Sequence, residues 1–285
     1  QGRPATFFPS APKETSTQAT SPAGNAAGNT ASQQSAVPSA STTTPGAQPG
    51  AQVPGGATAV GSSGPSSAQT WIEVTTDVLK LSFDPVGGSL VKAELLAHRD
   101  GNDASRNVVL LNDTAQHVYV AQSGLIASNS TNALPNHKSI MRFEGPKSLE
   151  DGKDQIQFSF VSENQGGMEL TKRYTIRRGQ YLIDIQHQLK NTSAQPLQTQ
   201  LYLQLVRDDS KPHGESSFYS TFTGPAIYSE QKKYQKVAFE DIRDNKANFE
   251  KSSNAGYVAM VQHYFASAWL LADGTKRDIA MDAVD

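Results

Sequence analysis

Hydrophobic and polar residues alternate with a period of two along most of the second half of this chain. Leu79, Leu81 and Phe83 are separated by polar neighbours and run into a turn at Pro85-Val-Gly-Gly88. Ile156, Phe158 and Phe160 alternate with Gln157 and Ser159. Leu170, Arg173, Tyr174 and Ile176 follow a second turn at Gln165-Gly-Gly167. Tyr181, Ile183 and Ile185 form one face against Leu182, Asp184 and Gln186. Leu201, Leu203 and Leu205 stand against Gln200, Tyr202, Gln204 and Val206, and are expected to point inward. Successive side chains of a strand point to opposite faces, so this pattern predicts strands with one buried and one wet face. Gly and Asn/Asp turns between them make the sheets antiparallel. Helical spacing is visible only between Gln231 and Phe249, and weakly. Many strands, few helices and regular turns give an all-β protein, a two-sheet β-sandwich.

One run breaks the alternation. From Ser252 to Ala272 there is no Asp, Glu, Lys or Arg. A membrane span needs about 20 mostly apolar residues. This run is long enough, but Gln262 and His263 sit at its middle, where unpaired polar groups are most costly. Tyr257, Val258, Val261, Tyr264, Phe265 and Trp269 suit a pleated, half-buried surface. Asn254-Ala-Gly256 and Asp273-Gly274 bound the run with turn chemistry. The run is expected to form a buried element of the sandwich, with a buried helix as the alternative because Ala259, Met260, Ala266 and Ala268 favour one. Asp273-Gly274 is expected to be the turn of a hairpin whose second strand, Arg277 to Val284, is short and polar.

Composition splits the chain. Residues 1–70 carry three charged side chains, Arg3, Lys13 and Glu14, and two aromatics, Phe7 and Phe8. Such a segment cannot bury enough apolar surface to offset the entropy of ordering it. It is expected to be a disordered tether rich in Ala, Ser, Thr, Pro, Gly and Gln. Limited proteolysis should trim this region first and leave a resistant fragment starting near Trp71; equal protection of Phe7–Lys13 would contradict that. Residues 71–285, about 215 residues, suffice for a sizeable single core. The net charge of −2 shows no bias toward nucleic acid. With no cysteine, disulfides and thiolate metal sites are excluded.

Candidate chemistry is sparse. His98, His117, His137, His187, His213 and His263 are scattered singly, without the spacing of a metal pair. His187 and His263 fall in strand-like runs and are expected to be hydrogen-bonded sheet residues. Asp208-Asp209 near His213 is the nearest approach to an acid/base cluster, and a charged loop after a strand explains it as well. Gly87-Gly88 and Gly166-Gly167 lack a following helix and belong to hairpins. No catalytic, cofactor or metal site is therefore expected. Tyr228, Lys232, Lys233, Tyr234 and Lys236 group aromatic and basic side chains in one segment, either a solvated connection or a docking surface.

Several segments, in order, resemble the large first periplasmic domain of the YidC-type bacterial membrane protein insertases. Gly256-Tyr-Val-Ala-Met-Val-Gln-His-Tyr-Phe-Ala-Ser-Ala-Trp269 is the strongest. Thr76-Asp-Val-Leu79 with Gly87-Gly88, Tyr119 to Leu125, Lys172 to Tyr181, Phe222 to Tyr228 and Lys233 to Lys236 are similar to further family segments. The resemblance implies an extended supersandwich like that of galactose-mutarotase-like proteins, preceded by the tether, facing the periplasm from the bacterial inner membrane. It implies a non-catalytic accessory domain without cofactors, on a protein that inserts nascent inner-membrane proteins alone or beside the Sec translocon. It also implies contact of the Tyr228–Lys236 region with the SecD–SecF complex, and a domain that continues past Asp285. A carbohydrate-binding or carbohydrate-processing sandwich is the alternative the fold likeness raises.

Overall fold

The computed structural model describes residues 70–127, 133–211 and 221–283, and the regular structure in them is almost entirely antiparallel β-strand. The expected tether lies outside the described residues apart from Thr70. The first sheet is built from β1 (Ile72–Thr75), β2 (Leu79–Asp84), β3 (Ser89–Arg99), β4 (Asn107–Asp113), β5 (Val118–Ala127) and β10 (Thr199–Arg207). Its order is β1-β2-β3-β4-β5-β10, with β3 also touching β5 through Leu90 and Ala121. The second sheet takes the intervening chain: β6 (Met141–Glu144), β7 (Gln155–Ser162), β8 (Met168–Arg177) and β9 (Ile183–Asn191), in sequence order.

The two sheets face each other over an aromatic core. Phe83 of β2 meets Phe158 at 5.3 Å and Tyr174 at 5.1 Å, and Phe158 stacks on Tyr174 at 5.2 Å. Edge and offset contacts of this kind add to what area burial alone provides. The inward positions of β8 are Met168, Leu170, Lys172, Tyr174 and Ile176, a strict alternation. Tyr174 keeps its hydroxyl satisfied by donating to the Gly88 carbonyl at 3.0 Å, and burial pushes its pKa up.

A third sheet, in the order β12-β11-β14-β15, uses β11 (Thr223–Ser229), β12 (Lys233–Lys236), β14 (Tyr257–Gln262) and β15 (Phe265–Leu270). The charge-free run is thus a hairpin, β14 and β15, with its turn at His263 and Tyr264. Tyr264 is 83% exposed, and His263 has φ +47 and lies 3.0 Å from the Thr221 hydroxyl. His263 is therefore a turn residue, not the sheet residue expected; one left-handed residue lets the hairpin reverse tightly. The inward face of this sheet is tied to the first sheet. The Trp269 indole donates to the Gln204 carbonyl at 3.0 Å, the Tyr119 hydroxyl lies 2.5 Å from that of Ser267, and Met260 joins the main core. Ile227, Val237, Ile242 and Phe249 make a smaller second cluster. No helix among the described residues is long and apolar enough to cross a membrane.

Three further expectations change. Between Gln231 and Phe249 the helix is one turn, α1 (Phe239–Arg243), preceded by β12. The polar stretch after Gly274 does not form a hairpin with β15: β16 (Arg277–Asp278) pairs with β13 (Ser252–Ser253), and Arg277 donates to the carbonyls of Asn254, Gly256 and Ala272. On β10, Tyr202 is the buried residue while Leu201 is 43% exposed. β10 is an outer strand of its sheet among the described residues; Leu205, opposite Ala121, packs against the main core on the expected face, and the Tyr202 face is covered by the segment around His137.

Candidate functional site

Tyr228 and Tyr234 are direct partners in the β11–β12 hairpin, and Ala226 is opposite Lys236. Residues opposite each other in an antiparallel pair share a face. Tyr228, Tyr234 and Lys236 therefore lie together, while Lys233 stands at the hairpin turn with φ +57. Lys232 is held beside the turn by its backbone N–H, which donates to the Ser229 hydroxyl at 3.2 Å. The pairing continues the face across the sheet: Tyr228 is opposite Tyr257, and Tyr257 opposite Leu270. The Tyr228 and Tyr257 rings stack at 5.6 Å.

Between these tyrosines and the β15 edge runs a shallow apolar groove of about 320 Å³. Its walls are Tyr234, Tyr257, Val261 and Leu270, and its floor is Ala259, Ala266 and Ala268. The groove exists because β14 and β15 send their large side chains, Met260, Phe265 and Trp269, to the opposite face. Partial desolvation and the nearby Tyr257 raise the Tyr234 phenol pKa. Lysine ion pairs among the described residues are made by Lys80, Lys190, Lys246 and Lys276. Lys232, Lys233 and Lys236 are not among them; of the three, Lys236 is on the groove face, where it sits 5.1 Å above the Phe222 ring. Of the five residues expected from the sequence, Tyr228, Tyr234 and Lys236 share the groove face, whereas Lys233 is opposite Ser229 and the Lys232 ammonium lies 3.4 Å from the Asn248 side-chain oxygen, beside the hairpin turn. The alanine floor and Leu270 were missed, though the small-against-large alternation within Tyr257–Leu270 is their signal.

Among the described residues the acid/base alternative is represented by Asp208 and Asp209. His213 lies outside the described residues. Asp208 accepts from the Val118 N–H at 2.5 Å and the Ser210 N–H at 2.8 Å, joining the end of β10 to the start of β5. Burial alone would raise its pKa, but hydrogen bonds from Ser210 and Val118 outweigh that and hold it below the usual carboxylate value. His117 Nδ1 is 3.2 Å from the Ser210 hydroxyl and 3.9 Å from Asp208. Acid and hydroxyl address the same ring nitrogen, so the imidazole cannot relay a proton between them as a hydrolytic triad requires. Asp209 reaches Arg243 at 3.6 Å on the surface. No group of three metal-ligating side chains occurs among the described residues.

A polar centre that sequence reasoning missed lies inside the sandwich. Lys172 donates to the carbonyls of Gly87 and Ser123, at 2.6 and 2.7 Å. His187 Nε2 is 2.9 Å from the Ser123 hydroxyl, the hydrogen-bonded sheet role expected for it. His137 Nδ1 is 2.5 Å from the Tyr202 hydroxyl, and its Nε2 is buried without a partner. Burial pushes the Tyr202 phenol up to about 12. The available signal was parity: Lys172, not Arg173, shares the inward register with Leu170, Tyr174 and Ile176.

A family model described as the YidC periplasmic domain matches residues 71–285. A protein of Janthinobacterium sp. (strain Marseille) named membrane protein insertase YidC is 44% identical over 78% of this chain and 38% of its own length. The protein of the same name from Bordetella petrii is 44% identical over 72% of this chain and 36% of its own. That from Burkholderia ambifaria is 38% identical over the whole of this chain and 48% of its own length. The chain thus spans between a third and a half of the relatives it matches.

Proposed function

The chain belongs to the YidC family of membrane protein insertases through its periplasmic domain, and from that premise we propose that it is the accessory portion of an insertase of the bacterial inner membrane. The whole protein then inserts inner-membrane proteins and helps them fold, alone or with the Sec translocon. Residues 71–285 act without catalysis, and residues 1–70 serve as their tether.

The tyrosine–lysine groove of the third sheet is the contact surface in this reading, with the SecD–SecF accessory complex as its partner. The observation that carries the surface is the coincidence of Tyr228, Tyr234, Tyr257 and Lys236 on one face, with Lys232 and Lys233 exposed at the adjoining hairpin turn. Aromatic anchors at the centre with charge at the edge is the make-up of protein–protein contacts. Rim charges chiefly steer encounter, so the contact should weaken with salt.

A photo-crosslinking residue placed at Tyr234 of the full-length protein, in inner-membrane vesicles, tests this. Cross-linking to SecD–SecF is expected from Tyr234 and not from Asp151, at the exposed β6–β7 connection. Joint Lys232→Glu, Lys233→Glu and Lys236→Glu replacement should reduce the yield at least fivefold while leaving the melting temperature within a few degrees, because all three side chains are on the surface. Equal cross-linking from both positions, or none from Tyr234, would remove the surface assignment.

A further inference from the structure

The interior of the sandwich holds a cation that the partner surface does not use. Lys172 is 0% exposed. Its two acceptors, the Gly87 carbonyl in the β2–β3 turn and the Ser123 carbonyl on β5, belong to the sheet opposite its own strand β8. The amine therefore bridges the two sheets. The groups around it are neutral or cationic. His187 is its cross-strand partner on β9 and bonds to the Ser123 side chain. Phe160, its partner on β7, is apolar. His137 and Lys138 come from the segment before β6, Tyr202 from β10 and Tyr174 from β8 itself. The Lys172 amine has two neutral carbonyl acceptors, and burial disfavours its charged form with no carboxylate to offset it.

We propose that this joint is a proton-operated latch: with the Lys172 amine neutral the sheets close over it, and with Lys172, His187 and His137 charged the margin formed by β5, β8 and β9 opens.

An ammonium group sealed in an apolar interior without a counter-charge is strongly disfavoured. Burial lowers the Lys172 pKa from 10.5 to about 7. Burial lowers both histidines to about 4, with Lys172 adding like-charge repulsion to each and Lys138 to His137. All three groups bind protons more tightly when released from the interior, so all three act in the same sense. Lys172 disfavours the closed state increasingly as pH falls from 10.5 to about 7, and by a constant amount below that. The histidines add their share as pH falls from 6.5 to about 4. The margin lies next to the outer edge of each sheet, where β10 flanks β5 and β9 flanks β8. β9 and β10 are outer strands among the described residues, and Leu189 and Leu201 on them are exposed. Locally open states are drawn from such sparsely packed edges.

The direct test is a titration of the 285-residue chain labelled with carbon-13 at lysine Cε. One lysine should titrate with a midpoint near 7 and vanish in Lys172→Met; if every lysine titrates above 9, the latch is wrong. Amide exchange gives the structural readout. From pH 8.5 to 5.5, after correction for intrinsic rates, protection in β5, β8 and β9 should fall at least tenfold more than in β1 and β2. An even loss over all strands, or none, would also overturn the proposal. In Lys172→Met the folding constant should lose its rise of roughly tenfold per pH unit between about 7.5 and 10, keeping only the histidine part below 6.5. Should that variant not fold, the lysine titration and the exchange pattern of the unaltered protein still decide.

Discussion

A Phe158→Ala protein is expected to lose about 3–5 kcal/mol of stability. For a domain of this size that lowers the melting temperature by on the order of 10 °C. The Phe158 ring is buried and touched on three sides: Phe83 edge-on at 5.3 Å, Tyr174 stacked at 5.2 Å and Phe143 at 5.7 Å. Phe83 belongs to the first sheet, and Tyr174 and Phe143, like Phe158 itself, to the second. Their backbones are fixed by separate hydrogen-bond ladders, so the walls cannot move in to fill the space. The cost therefore includes an unfilled cavity besides the lost transfer free energy. Phe158→Leu should lose less, because it keeps part of the volume. Tyr264→Ala, at an exposed turn, should change stability by no more than about 0.5 kcal/mol. Urea titrations of the three variants check this. A Phe158→Ala loss below about 1 kcal/mol would mean that the two sheets slide together, and the aromatic core would not be what holds them.

The parity of strands with a covered inner face was legible in the sequence. Leu79, Leu81 and Phe83, and Ile156, Phe158 and Phe160, are inward where alternation placed them. It placed Leu205 on the core face but did not show that Tyr202, on the other face of β10, is the more buried residue, because alternation labels the faces and not what else covers them. It also failed at Lys172, since a lysine in a strand normally marks the wet side. Only pairing shows that this lysine lies between Leu170 and Tyr174 on the inner face. The candidate surface was half legible. Tyr228, Tyr234 and Lys236 stand in one segment, and a hairpin joins them with local information alone. Ala259, Ala266 and Ala268 enter through pairing between β11 and β14, strands separated by almost thirty residues, and no local pattern encodes that partnership.

Large and small residues on β14 and β15 thus have a joint consequence. Met260, Phe265 and Trp269 fasten the third sheet to the sandwich. The alanines opposite them leave the outer face hollow between Tyr234 and Leu270. The floor of the groove is carried close to the backbone by alanines, so its shape depends on how closely β11 and β14 approach.

That dependence sets the second large effect, at Gly256→Ala. Gly256 precedes β14 with φ +90, a conformation that L-residues rarely adopt. A Cβ there would overlap the carbonyl oxygen of Tyr228, the residue opposite Tyr257. Backbone strain of this kind costs about 1–3 kcal/mol. Overpacking adds about 1–3 kcal/mol more, since the obstacle is a hydrogen-bonded strand and not the end of a flexible side chain. Gly274 separates the two contributions. It has φ +84, but nothing within 4 Å of a Cβ. Gly274→Ala should therefore carry the conformational part alone, and the difference between the variants measures the steric part. Moving β14 away from β11 also separates the Tyr228 and Tyr257 rings, so cross-linking from Tyr234 should fall in Gly256→Ala and stay unchanged in Gly274→Ala. Urea titration and the vesicle cross-linking assay read the two effects side by side. Equal stability losses and equal cross-linking would show that β11 and β14 part without resistance, and the groove would then be no rigid docking surface.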